Sequence, residues 1–343
     1  MAYHDRQPGE AGNVVTMTDH LMRLGDLAQA ALPLYGHSRR ARATLINHSE
    51  NATYRIDDPD RDEATILRIH RRGYHTKQAI RSELDWLIAL RQHHGIQTAA
   101  PIAAQDGTLI QSLASAALPE PCHAVMFTFL TGQEPAEDDL IGPFERLGTV
   151  SAHMHDQARN WSLPMGFSRQ VWDHHGALGA RSIWGRWQDG IGMTAESRQL
   201  FARLSEAIRT RLAQFGRSRD RFGLVHADIR LANLLIEGDT TKVIDFDDCG
   251  FGWFLYDIGT ALSFIEHRPD VPELVAAWLR GYRQVATLSA EDEAEIPTFI
   301  MLRRLLLVAW IGSHHETDLA QSLGAAYTAG SCDLAETYLT TFG

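Results

Sequence analysis

The chain has 343 residues, of which 44% are hydrophobic and 22% charged, the balance of a folded, water-soluble protein. A formal net charge of −11 argues against a broad nucleic-acid or anionic-membrane surface, leaving room only for a local basic groove. Its three cysteines, Cys122, Cys249 and Cys332, are odd in number and have no C-x-x-C spacing, which argues against a disulfide scaffold or a zinc cage.

Residues 1–16 are polar and carry Gly and Pro, and they read as a flexible N-terminus without the apolar stretch of a signal peptide. A helical pattern follows through "DHLMRLGDLAQAALPLY". Strands are expected in "ARATLINHSENATYRID" and "EATILRIHR", separated by the polar turn "DPDRDE". In "TKQAIRSELDWLIALRQHHG", Ile80, Leu84, Leu87 and Leu90 share one helical face, and Gly95 is the stop. Two short strands come next, in "TLIQSL" and "HAVMFTFL", before "TGQEP" breaks the chain.

Beyond Gly132 the pattern becomes helical, in "FERLGTVSAHMHDQARNW" and "SRQLFARLSEAIRTRLAQFG". Apolar runs such as "RLLLVAWIG" are too short to span a bilayer, so a cytoplasmic location without membrane attachment is the default. The expected fold class is α+β with two lobes. A β-rich N-lobe over residues 17–131 holds one helix, and a mostly helical C-lobe over 132–343 holds one hairpin. A cleft at such a junction is a common place for a ligand.

The stretch "LVHADIRLANLLIEGDTTKVIDFDDCGFG", residues 224–252, concentrates polar groups between apolar runs. His226, Asp228 and Asn233 precede a strand, a Gly-Asp turn and a second strand that ends at Asp245. This H-x-D-x-x-x-x-N followed by I-D-F resembles the catalytic segment of the protein-kinase-like fold. Within that fold it is similar to the aminoglycoside phosphotransferase and homoserine kinase group. Phosphoryl transfer needs an acceptor hydroxyl aligned with the γ-phosphate and divalent ions to neutralise the phosphate oxygens.

The resemblance implies roles residue by residue. Asp228 accepts or orients the substrate hydroxyl, and Arg230 faces the γ-phosphate. Asn233 and Asp245 hold Mg²⁺, for which oxygen ligands are suited. His226 braces the loop, and so does Asp257 in "FGWFLYDIGTALSF". "HSENATYRI" matches the strand-turn-strand that covers the nucleotide, where Ser49, Asn51 and Ala52 let backbone approach phosphate. "ATILRIHR" places Arg68 where the fold usually has a phosphate-binding Lys. Glu83, fifteen residues on, is the expected ion-pair partner. Phe129 to Thr131 correspond to the hinge that pairs with an adenine edge.

The histidine pairs lack a carboxylate or Cys at ligand spacing, so no metal is expected through His. Asp247 and Asp248 read as solvated turn residues, and "HRRGYHTK" as a solvated loop. The expectation is an ATP- and Mg²⁺-dependent kinase acting on a hydroxyl of a small molecule: an amino alcohol, a sugar, an aminoglycoside or a homoserine-like compound. It would be a monomer or homodimer with no nucleic-acid partner. The alternatives are a bacterial stress-response Ser/Thr protein kinase and a nucleotide-binding pseudokinase.

Overall fold

A computed structural model describes residues 17–48, 51–93, 96–114, 121–136 and 138–343. The expected flexible N-terminus, Ser49 and the helix stop at Gly95 lie outside the described residues. The chain divides into two compact units. One comprises residues 17–74 and 102–129, and the other comprises 75–101 and 130–343.

The first unit begins with α1 (Met17–Ala31), which ends in a short 3-10 turn at Leu32–Tyr35. Strands β1 (Arg42–His48), β2 (Ala52–Asp57) and β3 (Thr65–Ile69) follow, and the chain later returns through β4 (Pro101–Ile102), β5 (Gln111–Leu113) and β6 (Cys122–Thr128). The sheet order is β1-β2-β3-β6-β4, with β5 also on β6. Alternation decides its faces: Ala52, Tyr54 and Ile56 point inward on β2, and Leu67 and Ile69 on β3. Leu24, Leu27, Ala28 and Ala31 of α1 join them in one core. Each such Leu or Ile contributes about 1.5–3 kcal/mol by leaving water.

The second unit opens with α2 (Lys77–Arg91), capped by Thr76, whose side chain accepts from Ala79 N at 3.1 Å. Ile80, Leu84, Leu87 and Leu90 are all buried, the face that the spacing predicts. This helix, expected in the strand-rich lobe, belongs by its contacts to the helical unit. Its Trp86 indole donates to Gln157 at 2.9 Å and lies edge-on to Phe246, 5.5 Å between ring centres.

Helices α3 (Ile141–Asn160), α4 (His174–Leu178) and α5 (Ala195–Phe215) precede four short strands. These are β7 (Phe222–Val225), β8 (Leu234–Glu237), β9 (Thr240–Val243) and β10 (Gly250–Trp253), paired antiparallel as β8 with β9 and β7 with β10. The sequence reading expects only β8 and β9. In the other pair, Gly223, Gly250 and Gly252 supply no side chain and so carry little strand signal. Helices α6 (Tyr256–Ala261), α7 (Val271–Tyr282), α8 (Ala290–Ala294), α9 (Ile296–Ser313) and α10 (Asp318–Phe342) complete the unit.

Two of these helices are central. Helix α9 is apolar on every face and buried along most of its length, as a core helix must be. The span Ala290–Ser313 is long and apolar enough to cross a membrane, contrary to the sequence reading of its apolar run, yet 78% of that window is buried inside the protein. Helices α3 and α7 approach so closely that a Cβ on Gly148 would strike the Trp278 carbonyl, and one on Gly281 the Glu145 carbonyl.

That crossing is testable. Gly148→Ala should destabilise the fold by about 1–3 kcal/mol, the usual cost of overpacking. Gly25→Ala on α1, where a Cβ meets nothing within 4 Å, should stabilise it by about 0.5–1 kcal/mol. Urea denaturation of the two variants should give midpoints displaced in opposite directions.

Candidate active site

The loop between β7 and β8 carries His226, Asp228 and Asn233, and α6 holds it in shape. Asp257, fully buried in the first turn of α6, accepts from His226 N at 3.1 Å and from Ala227 N at 2.8 Å. One turn on, Thr260 Oγ1 accepts from Ile229 N at 3.1 Å. The i, i+3 spacing puts both on one helix face. Ala227 has φ 67°, a left-handed conformation that costs roughly 1–2 kcal/mol in an alanine and is maintained here by those bonds.

His226 is buried and acts as a brace. Its Nδ1 accepts from Asp228 N at 3.3 Å, and its Nε2–H donates to the Ile244 carbonyl at 3.1 Å. His155 of α3 lies between Asp257 Oδ2 (3.0 Å) and the Tyr282 hydroxyl (3.1 Å). It is a structural residue that links α3 to α6 and α7. Burial pushes both imidazoles below their ordinary pKa, the nearby Asp257 opposing the shift.

Asp228 is held from three sides. Asn233 Nδ2 donates to its Oδ2 at 3.0 Å and to its carbonyl at 2.8 Å, and Arg230 Nε reaches Oδ2 at 3.3 Å. Arg303 of α9, which the sequence reading misses, pairs with Oδ1. A signal existed: Arg303 and Arg304 interrupt the most apolar helix in the chain, and charges in such a place are buried with partners. Arg304 pairs with buried Glu266 at 2.7 Å.

Asp245 follows β9 in a left-handed conformation, φ 62°, that Asp tolerates better than most residues. Ile244 N donates to the Asn233 carbonyl at 3.0 Å, so the two expected metal ligands lie at adjoining points of the backbone. Asn233 spends its amide nitrogen on Asp228, which leaves Oδ1 as the atom for a cation. An amide oxygen and an exposed carboxylate suit a hard ion that keeps several waters. Among the described residues no cluster of three His, Cys, Asp or Glu could hold a metal.

The segment after Asp245 departs from expectation. Asp247 and Asp248 are buried, because residues 169–172 draw their backbone inward. Arg169 donates to the carbonyls of Cys249 (2.6 Å), Asp247 and, on α2, Ala79 (3.1 Å). The Trp172 indole donates to Asp248 O at 2.7 Å. His75, from the run read as a solvated loop, contacts Asp247 O at 2.8 Å.

The expected nucleotide residues are divided between the units. In the first, Asn51 Oδ1 accepts from Arg71 N at 3.0 Å, Arg68 is buried on β3 opposite Thr53 and Val125, and Phe129 lies under the Arg55 guanidinium. In the second, Glu83 is fully buried on α2. Thr131 donates through Oγ1 to Glu237 at 2.8 Å, and its carbonyl accepts from Lys242 Nζ at 2.9 Å. Ser49 lies outside the described residues.

Asp228 clamped beside Asn233, with Asp245 just past β9, is compatible with phosphoryl transfer, and the class is that of the small-molecule kinases. Comparison with known proteins agrees. Residues 42–295 match the phosphotransferase enzyme family APH, and the chain belongs to that family. It is 44% identical to the solved structure of a microcompartment-associated aminopropanol kinase, covering 93% of this chain and 98% of that one with a TM-score of 0.86. Amicoumacin kinase of Bacillus subtilis (strain 168) is 26% identical over 296 residues, 82% of each chain. A solved amicoumacin kinase in complex with AMP-PNP, Ca²⁺ and Ami is 24% identical, covering 93% of this chain and 96% of that one, TM-score 0.73, a likeness of fold. The protein is thus an α+β, protein-kinase-like, ATP-dependent phosphotransferase for small molecules.

The buried histidines set a pH dependence. Their folded pKa values lie below the unfolded value of about 6.5, so under acid the unfolded chain binds more protons. Stability is therefore complete above about pH 6.5 and declines as pH falls below it. Urea midpoints between pH 7.5 and 5.5 should decrease, and His155→Gln should flatten that decrease.

Proposed function

We propose that the enzyme transfers the γ-phosphoryl group of ATP to the hydroxyl of a short amino alcohol such as aminopropanol. The observation that carries this reading is the 44% identity with an aminopropanol kinase across 93% of the chain. Asp228 receives or orients the hydroxyl, and Arg230 turns toward the γ-phosphate. Asn233 and Asp245 hold Mg²⁺, which when bound neutralises the phosphate oxygens. Arg68 takes the part of the usual Lys toward the α- and β-phosphates. The backbone at Asn51 approaches the phosphates, and the hinge from Phe129 to Thr131 receives the base. A cytoplasmic site of action, away from membrane and nucleic acid, accords with ATP dependence and a net charge of −11. The enzyme acts as a monomer or homodimer.

ADP release should be measured with Mg-ATP against aminopropanol, ethanolamine, homoserine and spectinomycin. Aminopropanol should exceed the others in kcat/KM by at least about tenfold, which is roughly 1.4 kcal/mol of preferential transition-state binding. An equal or better rate with homoserine or spectinomycin would remove the amino-alcohol assignment.

The site roles separate by variant. Asp228→Asn keeps the shape and removes the proton acceptor, so kcat should fall about 10²- to 10⁴-fold with nucleotide affinity little changed. Asp245→Asn gives up the charge that holds the ion, so isothermal titration should show Mg-dependent nucleotide binding lost. If that variant binds Mg-ATP normally, the metal is held by other residues.

A further inference from the structure

Arg303 is 1% exposed in the middle of the core helix α9, a position where an apolar side chain would cost nothing in desolvation. Burying a guanidinium costs several kcal/mol unless its fork is met, and here each of its three nitrogens has a partner in the catalytic loop or in what holds it. One nitrogen, Nη2, pairs with Asp228 Oδ1. Nη1 donates to the Ala227 carbonyl at 3.3 Å, and Nε to Ser263 Oγ at 2.9 Å in the turn after α6. Above the plane of the guanidinium, 4.8 Å from its carbon, is the ring of Trp184. The plane is fixed by contacts on its edge and its face.

The carboxylate of Asp228 then has few directions left. A carboxylate can accept about four hydrogen bonds, two on each oxygen. Oδ2 already receives Asn233 Nδ2 and Arg230 Nε, and Oδ1 receives Arg303. One acceptor direction stays open, on Oδ1. We propose that Arg303 is a positioning residue that, through the rigid α9, selects the Asp228 lone pair to which the acceptor hydroxyl donates.

This rests on the reading of Asp228 as the group facing the hydroxyl, so the variants must separate the two. Arg303→Met removes the fork at similar volume, Arg303→Lys keeps charge without the fork, and each is combined with Asp228→Asn. Misplacing a catalytic group by about an ångström typically costs on the order of 10²-fold. Arg303→Met should therefore lower kcat about that much, with KM for ATP within about twofold of wild type and aminopropanol as the acceptor. Arg303→Lys should recover about tenfold of the loss. In the double variant the effect should vanish, kcat being no lower than for Asp228→Asn alone, since two residues acting as a unit do not add. A purely structural Arg303 would instead move KM for ATP along with kcat and add its loss to that of Asp228→Asn, and either result overturns the proposal. Wild-type kcat in Arg303→Met overturns it as well. A silent Asp228→Asn is a different failure, that of the catalytic reading itself. Should Arg303→Met not fold, Ser263→Ala removes the Nε partner together with that hydroxyl's own bond to the Thr260 carbonyl. It should lower kcat about tenfold at unchanged ATP KM, and a wild-type rate in that variant counts against the proposal.

Discussion

The carboxylate of Asp257 is the constraint on which the site depends. It lies wholly inside the protein and accepts two successive backbone N–H groups of the catalytic loop while facing His155. Those N–H groups point the same way because Ala227 adopts a left-handed conformation, and the conformation persists because the carboxylate is there to receive them. Asp228 projects from this turn, so its direction is inherited from α6. Remove the acceptor and two buried donors are left unsatisfied, each costing about 1–3 kcal/mol, with nothing else to keep Ala227 strained.

Around that turn, charge is buried in pairs. Arg303 with Asp228, and Arg304 with Glu266, leave the most apolar helix of the chain in consecutive positions. Buried ion pairs of this kind are poor evidence for stability, since apolar residues of similar volume often do as well. Their value lies in direction. Planar forks with several donors allow one arrangement of the acceptor and reject its neighbours.

How much of this could be read from residues alone differs by element. The buried face of α2 was legible because four apolar residues repeat at helical spacing, and β8 and β9 because they flank a Gly-Asp turn. Asp228, Asn233 and Asp245 could be singled out as a group because they lie within one short stretch. The strand pair of β7 and β10 was not, since glycine replaces the residues that announce a strand. Arg303 was beyond reach as a partner of Asp228: seventy-five positions separate them, and only the packing of α9 brings them together. Asp247 and Asp248 were misread for the same reason, their burial being caused by Arg169, seventy-eight and seventy-nine positions upstream.

The hold of Arg169 and Trp172 on the segment after Asp245 has a consequence for how the enzyme can be governed. Freeing that segment breaks two hydrogen bonds from a buried guanidinium and one from an indole. At roughly 1.5–3 kcal/mol for each charged donor and about 1 kcal/mol for the indole, a released state is populated at about one molecule in a thousand or fewer. A loop with so little slack cannot serve as a switch thrown by a modest signal.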